Sequence, residues 1–313
     1  MTKERSHSGY KGRQYRKRSV PKIALIILFV ILLSLIPVYI INFGVQSGPD
    51  QRDLLRLWDS MAFAEVYKLS AEQLVQKPLD FFLLTINGFS AYQLAIAQIN
   101  NSSMLSYINS SIWSLRKAML LSEGASDGRV FYVLGKAYYY KGKGYEELTI
   151  KYLEKAREAA FYARDIPEYL GLAYANVRDY RSSIAAFTLA LNPSGADISS
   201  DALLLSIASS YIALGEVETA SSYLKLCLET SKDSLMITAA RLNLAQILIG
   251  KSDFAGAEEL YNKIIEEGGN ADAHYYLGEL YNARGEVIRA RAEWRRAIQI
   301  DPSHIQARTR LNL

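Results

Sequence analysis

Apolar residues recur every three or four positions along most of this 313-residue chain, with polar residues between them. In residues 54–68, LLRLWDSMAFAEVYK, this spacing places the apolar side chains on one face of a helix. Long stretches carry Ala, Leu, Tyr, Glu and Lys at the same spacing, whereas the strict alternation typical of β-strands is rare. The pattern predicts an all-α protein, and the length allows one or two domains.

Three segments of the chain have nearly the same sequence: VLGKAYYYKG at 133–142, YLGLAYANVR at 169–178 and YLGELYNARG at 276–285. In each of them a glycine is followed three positions later by a tyrosine. A small residue recurs in this place at intervals of 36, 37, 37 and 33 residues, at Gly135, Gly171, Ala208, Ala245 and Gly278. A repeat of this length predicts stacked helix pairs, because a single pair cannot bury its apolar face alone.

Each unit carries a second set of marker residues about 12 positions further on. In the last unit these are Ala290, Trp294 and Ala297, on one face of the second helix; Gly285 interrupts the helical pattern before them, and Pro302 ends the unit. This unit resembles the tetratricopeptide repeat (TPR) at every usual marker position except the first, where His274 replaces tryptophan. The other four units match in part. The resemblance implies a right-handed superhelix of helix-turn-helix units.

The small residues have a physical explanation. Two antiparallel helices approach closely only where their side chains are small, so Gly or Ala must recur where the helices of a pair cross. Residues 51–127 carry degenerate copies of the pattern, and we expect one or two irregular repeats there, followed by about five TPR units in 128–302. Residues 303–313 predict a C-terminal capping helix, with Ser303 as its N-cap.

Residues 23–43, IALIILFVILLSLIPVYIINF, contain no charge. A helix of this length spans about 30 Å, the thickness of the hydrocarbon core of a bilayer. The apolar run is longer than the core of a cleavable signal peptide, and neither an A-x-A site nor a lipoprotein cysteine follows it. The sequence therefore predicts a single transmembrane signal anchor, joined to the helical region by a linker at 44–50.

Charge is distributed unevenly along the chain. Residues 1–43 hold eight basic residues and one acidic residue, a net charge of +7 that lies entirely in the tail at 1–22. The remainder holds 28 basic and 31 acidic residues, a net charge of −3. By the positive-inside rule, we expect a cytoplasmic tail and, in a bacterial inner membrane, a periplasmic TPR domain. The tail is expected to set topology and to bind no nucleic acid.

Residues suited to catalysis or metal binding are scarce. Cys227 is the single cysteine, which excludes an intramolecular disulfide and a multi-cysteine metal site. The sequence contains no HExxH, GxSxG, CxxC or phosphate-binding loop. We therefore expect no enzymatic activity, no cofactor and no metal. Cys227 and His274 occupy packing positions of the repeat, so structural roles are expected for both.

In TPR arrays the first helices of the units line a concave groove that contacts a partner protein. Counted from the small residue of each unit, the resemblance places ten residues in this groove: Tyr132, Lys136, Tyr139, Tyr140, Glu168, Asn176, Gln246, Tyr275, Glu279 and Asn282. Tyrosines 139 and 140 are the sharpest candidates, since Tyr is favoured as an interface anchor, although packing between helices explains them equally well. The Lys and Asn with which one TPR subclass clamps chaperone C-termini are replaced here by Tyr132 and Lys136.

These features predict a membrane-anchored scaffold that binds other proteins of a bacterial envelope assembly, as a homo-oligomer or within a multi-subunit complex. TPR proteins of this layout resemble components of division, secretion and outer-membrane assembly machines and of the flagellar motor. Two alternatives stay open: a solenoid that binds a glycan or lipid, and a non-catalytic regulatory subunit of an envelope enzyme. A catalytic pair is disfavoured because Glu168 and Glu279 are more than two repeats apart.

Overall fold

The computed structural model describes residues 50–121, 126–191, 200–268 and 270–312. Within these ranges all regular structure is helical, as predicted. The helices are α1 Gln51–Asp59, α2 Phe63–Gln76, α3 Phe81–Ile96, α4 Asn101–Ala118, α5 Gly128–Lys141, α6 Glu146–Glu158, α7 Ile166–Asn176, α8 Tyr180–Ala190, α9 Ser200–Leu214, α10 Val217–Thr230, α11 Ser234–Gly250, α12 Phe254–Glu266, α13 Ala271–Ala283, α14 Val287–Ile300 and α15 Ile305–Leu311.

The predicted basic tail, membrane span and most of the linker lie outside the described residues. None of the described helices combines the length and the apolar character that crossing a bilayer requires. The chain divides into two units, residues 1–55 and residues 56–313. Of the first unit, the described part is residues 50–55, where Asp50 Oδ1 accepts a hydrogen bond from the Asp53 N–H at 2.9 Å.

The second unit is a linear stack of helix pairs. Each helix packs chiefly against its neighbours in the sequence, in the pairs α3–α4, α5–α6, α7–α8, α9–α10, α11–α12 and α13–α14. Helix α2 packs on α3 at the N-terminal end, and α15 packs on α14 at the C-terminal end. The first helices of adjacent pairs also meet directly, as α3 with α5, α5 with α7 and α9 with α11. We call the surface that these helices form the first-helix face.

The recurring glycines lie where the two helices of a pair touch. A Cβ atom added at Gly171 would lie 2.5 Å from the ring of Phe187, and one at Gly278 would lie 2.6 Å from the indole of Trp294. The same contact exists at Gly88, where a Cβ would lie 2.5 Å from Leu115. The pair α3–α4 is therefore built like the later repeats. The sequence pattern missed Gly88 because 27 residues separate it from its partner, against 16 in the last unit.

The expected packing residues are buried. The Cys227 side chain is fully buried in a cluster with Ala220 and Leu224. The His274 side chain is also buried, and its Nδ1 atom lies 2.7 Å from Glu293 Oε2. His274 therefore replaces the usual tryptophan with a polar contact to the second helix of its own pair.

The C-terminal helix forms where it was predicted, but its N-cap is different. His304 Nδ1 accepts the hydrogen bond from the Ala307 N–H at 3.1 Å, so the prediction of Ser303 as the cap was wrong. The Ser303 hydroxyl instead donates to Asp301 Oδ1 at 2.6 Å. Because Asp301 holds this hydroxyl in the preceding turn, the helix starts one residue later.

Candidate functional site

A connected cluster of side chains on the first-helix face lies between α5 and α7. Lys136 Nζ lies 2.5 Å from Asp165 Oδ2, and the Tyr132 hydroxyl donates to the same carboxylate at 2.9 Å. Asp165 is the residue immediately before α7. One carboxylate therefore joins two predicted groove residues of one repeat to the start of the next repeat.

Aromatic rings surround the Lys136 ammonium. Its Nζ atom lies 4.6 Å from the ring centroid of Tyr169, 5.2 Å from that of Tyr132 and 5.9 Å from that of Tyr92. Cation–π attraction stabilises this arrangement in addition to the ion pair. Burial raises the pKa of the Tyr92, Tyr132 and Tyr169 hydroxyls, and the Asp165 charge raises it further. The Lys136 ammonium group is thus bound by Asp165 and by aromatic rings of the same chain.

Tyr139 and Tyr140 extend this cluster to an open cleft. The Tyr140 hydroxyl lies 3.0 Å from the Tyr169 hydroxyl, within hydrogen-bond distance, and the Tyr139 ring packs edge-on against the Tyr169 ring at 4.8 Å between centroids. The cleft has a volume of about 480 Å³. It is lined by Tyr139, Tyr140, Gly142, Lys143, Glu146, Thr149, Ala173 and Asn176. Three of the ten predicted groove residues, Tyr139, Tyr140 and Asn176, meet here, together with one cation, Lys143, and one anion, Glu146.

The other predicted groove residues do not join this cleft. Glu168 is half-buried on α7. Burial raises the pKa of the Tyr139 hydroxyl, and the neighbouring Tyr140 and the charge of Glu168 raise it further. Gln246 donates through Nε2 to the Tyr261 hydroxyl at 2.9 Å, across its own helix pair. The last helix pair carries the remaining three residues.

In that last pair, Glu279 is paired with Arg310 of α15, with Arg310 Nε 2.8 Å from Glu279 Oε1. The Tyr275 ring packs against His304 at 5.1 Å. Asn282 is exposed. Tyr275 and Glu279 therefore fasten the terminal helix, and none of the three residues lines the cleft at α5 and α7.

The sequence reading missed Asp165, Tyr169, Lys143 and Glu146. Asp165 and Tyr169 lie 33 and 37 residues after Tyr132, so they reach it from the next repeat. A signal was present, because a polar residue just before a helix that starts with Ile166-Pro167 is a helix-start pattern. Lys143 lies in the turn between α5 and α6, and Glu146 is the first residue of α6. Only the stacking of the next helix pair on this one brings them beside Asn176 of α7.

The described residues offer no metal site. No group of three or more His, Cys, Asp or Glu side chains in this part of the chain could hold a metal ion. The buried His274–Glu293 contact is extended by Arg296, which pairs with the second Glu293 oxygen. A cleft of about 430 Å³ lies beside it.

Comparison with known protein families agrees with the repeat structure. Two family models, both described as tetratricopeptide repeat, match residues 202–234 and 242–305. The chain therefore contains TPRs, as its sequence resemblance indicated, and its described part has the fold of an all-α TPR solenoid. A search of curated proteins found no match.

Solved structures with the same fold include the C-terminal part of a TPR repeat-containing protein from Cytophaga hutchinsonii. It is 18% identical, has a TM-score of 0.58, and the match covers 82% of this chain and 98% of that one. PilW, described as a widely conserved type IV pilus biogenesis factor, is 17% identical with a TM-score of 0.54 over 72% of this chain and 98% of its own. Pseudomonas aeruginosa pilF is 13% identical with a TM-score of 0.51, over 72% and 96% of the two chains.

Proposed function

We propose that this protein is a membrane-anchored TPR scaffold that holds another protein of a bacterial envelope assembly. The observation that carries the proposal is the cleft between α5, α6 and α7 on a TPR array. Its two tyrosines, Lys143, Glu146 and Asn176 provide aromatic surface and hydrogen-bonding groups at one place. Tyr is enriched at the centre of protein interfaces, and polar and charged side chains are typical of their rim.

The cleft is suited to a segment of a partner protein. Its aromatic floor is fixed, because Tyr140 and Tyr139 pack on Tyr169 and the Lys136–Asp165 pair holds α5 against α7. A preformed surface binds with a smaller loss of conformational entropy than a flexible one. Asn176 and the charged residues at the rim remain accessible for polar contacts.

The membrane anchor and the location are part of the proposal. They are supported by the uncharged run at 23–43 and by the net charge of +7 in the tail before it. The array then works in the periplasm, beside the inner membrane. The same fold in a type IV pilus biogenesis factor is consistent with an envelope role. Division, secretion, outer-membrane assembly and flagellar machines are the candidate assemblies, and we propose no catalytic role.

Site-specific photo-crosslinking in cells tests the scaffold. A photoreactive residue at position 176 or 143 of the full chain is expected to capture the same small set of envelope proteins. The control position is Thr188, which is exposed on the second helix α8. Equal capture at all three positions, or capture of nothing at 176 and 143, would contradict the cleft as the binding site.

A matched pair of substitutions separates binding from folding. Asn176→Arg is expected to weaken partner capture and leave helix content unchanged, because residue 176 is exposed at the end of α7. Asn282→Arg, at the exposed and equivalent end of α13, is the control and is expected to bind normally. If a glycan or lipid saturates the protein in calorimetry and Asn176→Arg abolishes that binding, the small-ligand alternative replaces the scaffold.

Protease protection tests the topology. Protease added outside the inner membrane is expected to degrade residues 51–313 and to spare the basic tail. Protection of the repeats would reverse the orientation without affecting the assignment of the cleft.

A further inference from the structure

The first helix pairs carry an unusual concentration of uncharged surface. Residues 81–115 contain no charged residue, although 22% of the whole chain is charged. Helix α3 explains part of this run, because most of it is buried. Helix α4 does not, since its outer side is exposed and includes Trp113, with 59% of its surface accessible. Exposed helix faces are normally rich in charged residues, so this face requires another explanation.

Apolar side chains gather where α2 and α4 end. Both helices run antiparallel to α3, so their C-terminal ends lie at the same edge of the stack. Val75 of α2 and Trp113 of α4 line one cleft of about 510 Å³. In the turns that follow, Leu79 and Leu120 are 61% and 83% exposed, and Val75 is 83% exposed.

Two lysines accompany these apolar residues. Lys117 Nζ lies 4.3 Å from the ring centroid of Trp113, and Lys77 is exposed at the end of α2. Asp80, the acidic residue nearest to Lys77 in the sequence, caps α3 by accepting the Leu83 N–H at 2.9 Å. We call this surface the basic apolar edge; its members are Val75, Lys77, Leu79, Trp113, Lys117 and Leu120.

We propose that the basic apolar edge binds the surface of a lipid bilayer that contains anionic lipids. Tryptophan at the headgroup level, aliphatic side chains just below it and lysines beside them form the combination that favours a membrane interface. Each lysine near an anionic surface strengthens such binding about fivefold.

The length of the chain supports a lipid partner. The inference rests on the proposed anchor at 23–43, from which seven residues, 44–50, lead to α1. An extended chain covers at most about 3.6 Å per residue and a helix about 1.5 Å. The chain that leads from the proposed anchor to the start of α2 therefore reaches at most about 50 Å, which limits how far from a bilayer the first pairs can move. Contact there would fix the height at which the cleft at α5–α7 is presented.

The turn between α3 and α4 provides a matched control. Ile99 is fully exposed there, at the opposite edge of the same helix pair, and no charged residue lies within 16 positions on either side of it. Ile288 on α14 is a second control, 88% exposed and far along the chain. The native Cys227 is fully buried, so it does not compete for a thiol-reactive label.

The test uses the full chain reconstituted in bilayers that contain phosphatidylglycerol. Nitroxide labels are placed through Val75→Cys, Leu120→Cys, Ile99→Cys and Ile288→Cys, and their collisions with oxygen and with a water-soluble nickel reagent are compared. Oxygen collisions should exceed nickel collisions at positions 75 and 120, and the reverse should hold at 99 and 288. Lys77→Gln with Lys117→Gln, or a bilayer of phosphatidylcholine alone, should reduce the lipid signal several-fold.

Two results would overturn the inference. If positions 75 and 120 respond like position 288, the edge is in water. If they are shielded from both reagents, a protein partner or a second copy covers the edge. A separate measurement tests the proposed membrane anchor: alkaline carbonate extracts from the bilayer a chain that has no membrane-spanning segment. The scaffold proposal is tested independently by crosslinking at position 176.

Discussion

Position 278 requires a glycine, because the Trp294 indole occupies the space where the Cβ atom of any other residue would lie. The nearest indole atoms are 2.6 Å from that position, and the Ala290 carbonyl oxygen is 3.1 Å away. Trp294 is buried and has little freedom to move. The same residue types recur in the sequence because each helix pair has the same close crossing to accommodate.

Gly278→Ala is expected to lower the free energy of unfolding by about 1–3 kcal/mol, the usual cost of overpacking a filled core. Urea denaturation followed by circular dichroism measures it. Gly250→Ala is the control, because a Cβ at Gly250 meets nothing within 4 Å. Alanine there should be neutral or stabilising by up to about 1 kcal/mol. Equal destabilisation by the two substitutions would contradict the packing explanation.

The groove residues were harder to interpret from the sequence. The resemblance predicted that Lys136 and Tyr132 face a partner, yet both side chains bind Asp165 of the next repeat. Residue type and spacing identify the helix face on which a side chain lies. They do not reveal which charged group of another helix neutralises it, because that depends on how successive pairs are stacked.

The contact between α5 and α7 is an aromatic interface in which the neutral form of tyrosine is favoured. Tyr132 donates to Asp165, and Tyr169 meets Tyr140 through its hydroxyl. Burial raises the pKa of both hydroxyls above the ordinary value. The folded state therefore binds these protons more tightly than the unfolded chain does.

This difference predicts that the array loses stability in alkaline solution. The contribution of these tyrosines is fully present below the pKa of an unfolded tyrosine, about 10, and decreases as pH rises above it toward the raised pKa of the folded state. Urea denaturation at a series of pH values from about 8 to above about 11 measures the slope of the free energy of unfolding against pH. The free energy of unfolding is expected to begin to fall at about pH 10. Tyr169→Phe should make the slope shallower, whereas Tyr162→Phe, at an 89% exposed side chain, should not. Identical slopes would contradict the role of the cluster.

Helix α15 closes the C-terminal end of the stack. Ala307 is fully buried and Leu311 nearly so, in the cluster that contains Trp294 and Tyr281. In a solenoid each unit contacts only its neighbours, so loss of the terminal helix is felt most strongly by the adjacent pair.

Ala307→Glu is therefore expected to open α13 and α14 to solvent while leaving α5 and α6 protected. Hydrogen exchange measured by mass spectrometry reports each helix separately. Gln306→Glu adds the same charge at an exposed position of the same helix and should change nothing. Uniform loss of protection along the whole array would show that the molecule unfolds as one cooperative block and would contradict the expectation.

The sequence by itself determined the helical class, the repeat and the positions of the close helix crossings. These properties follow from local spacing, which is the same in every unit whatever lies next to it. Only the tertiary structure decided that Gly88 belongs to this series, that Asp165 neutralises Lys136, and that Tyr139 and Asn176 meet in one cleft. Each of these depends on contact between residues 27 or more positions apart, which stacking creates and local pattern does not encode.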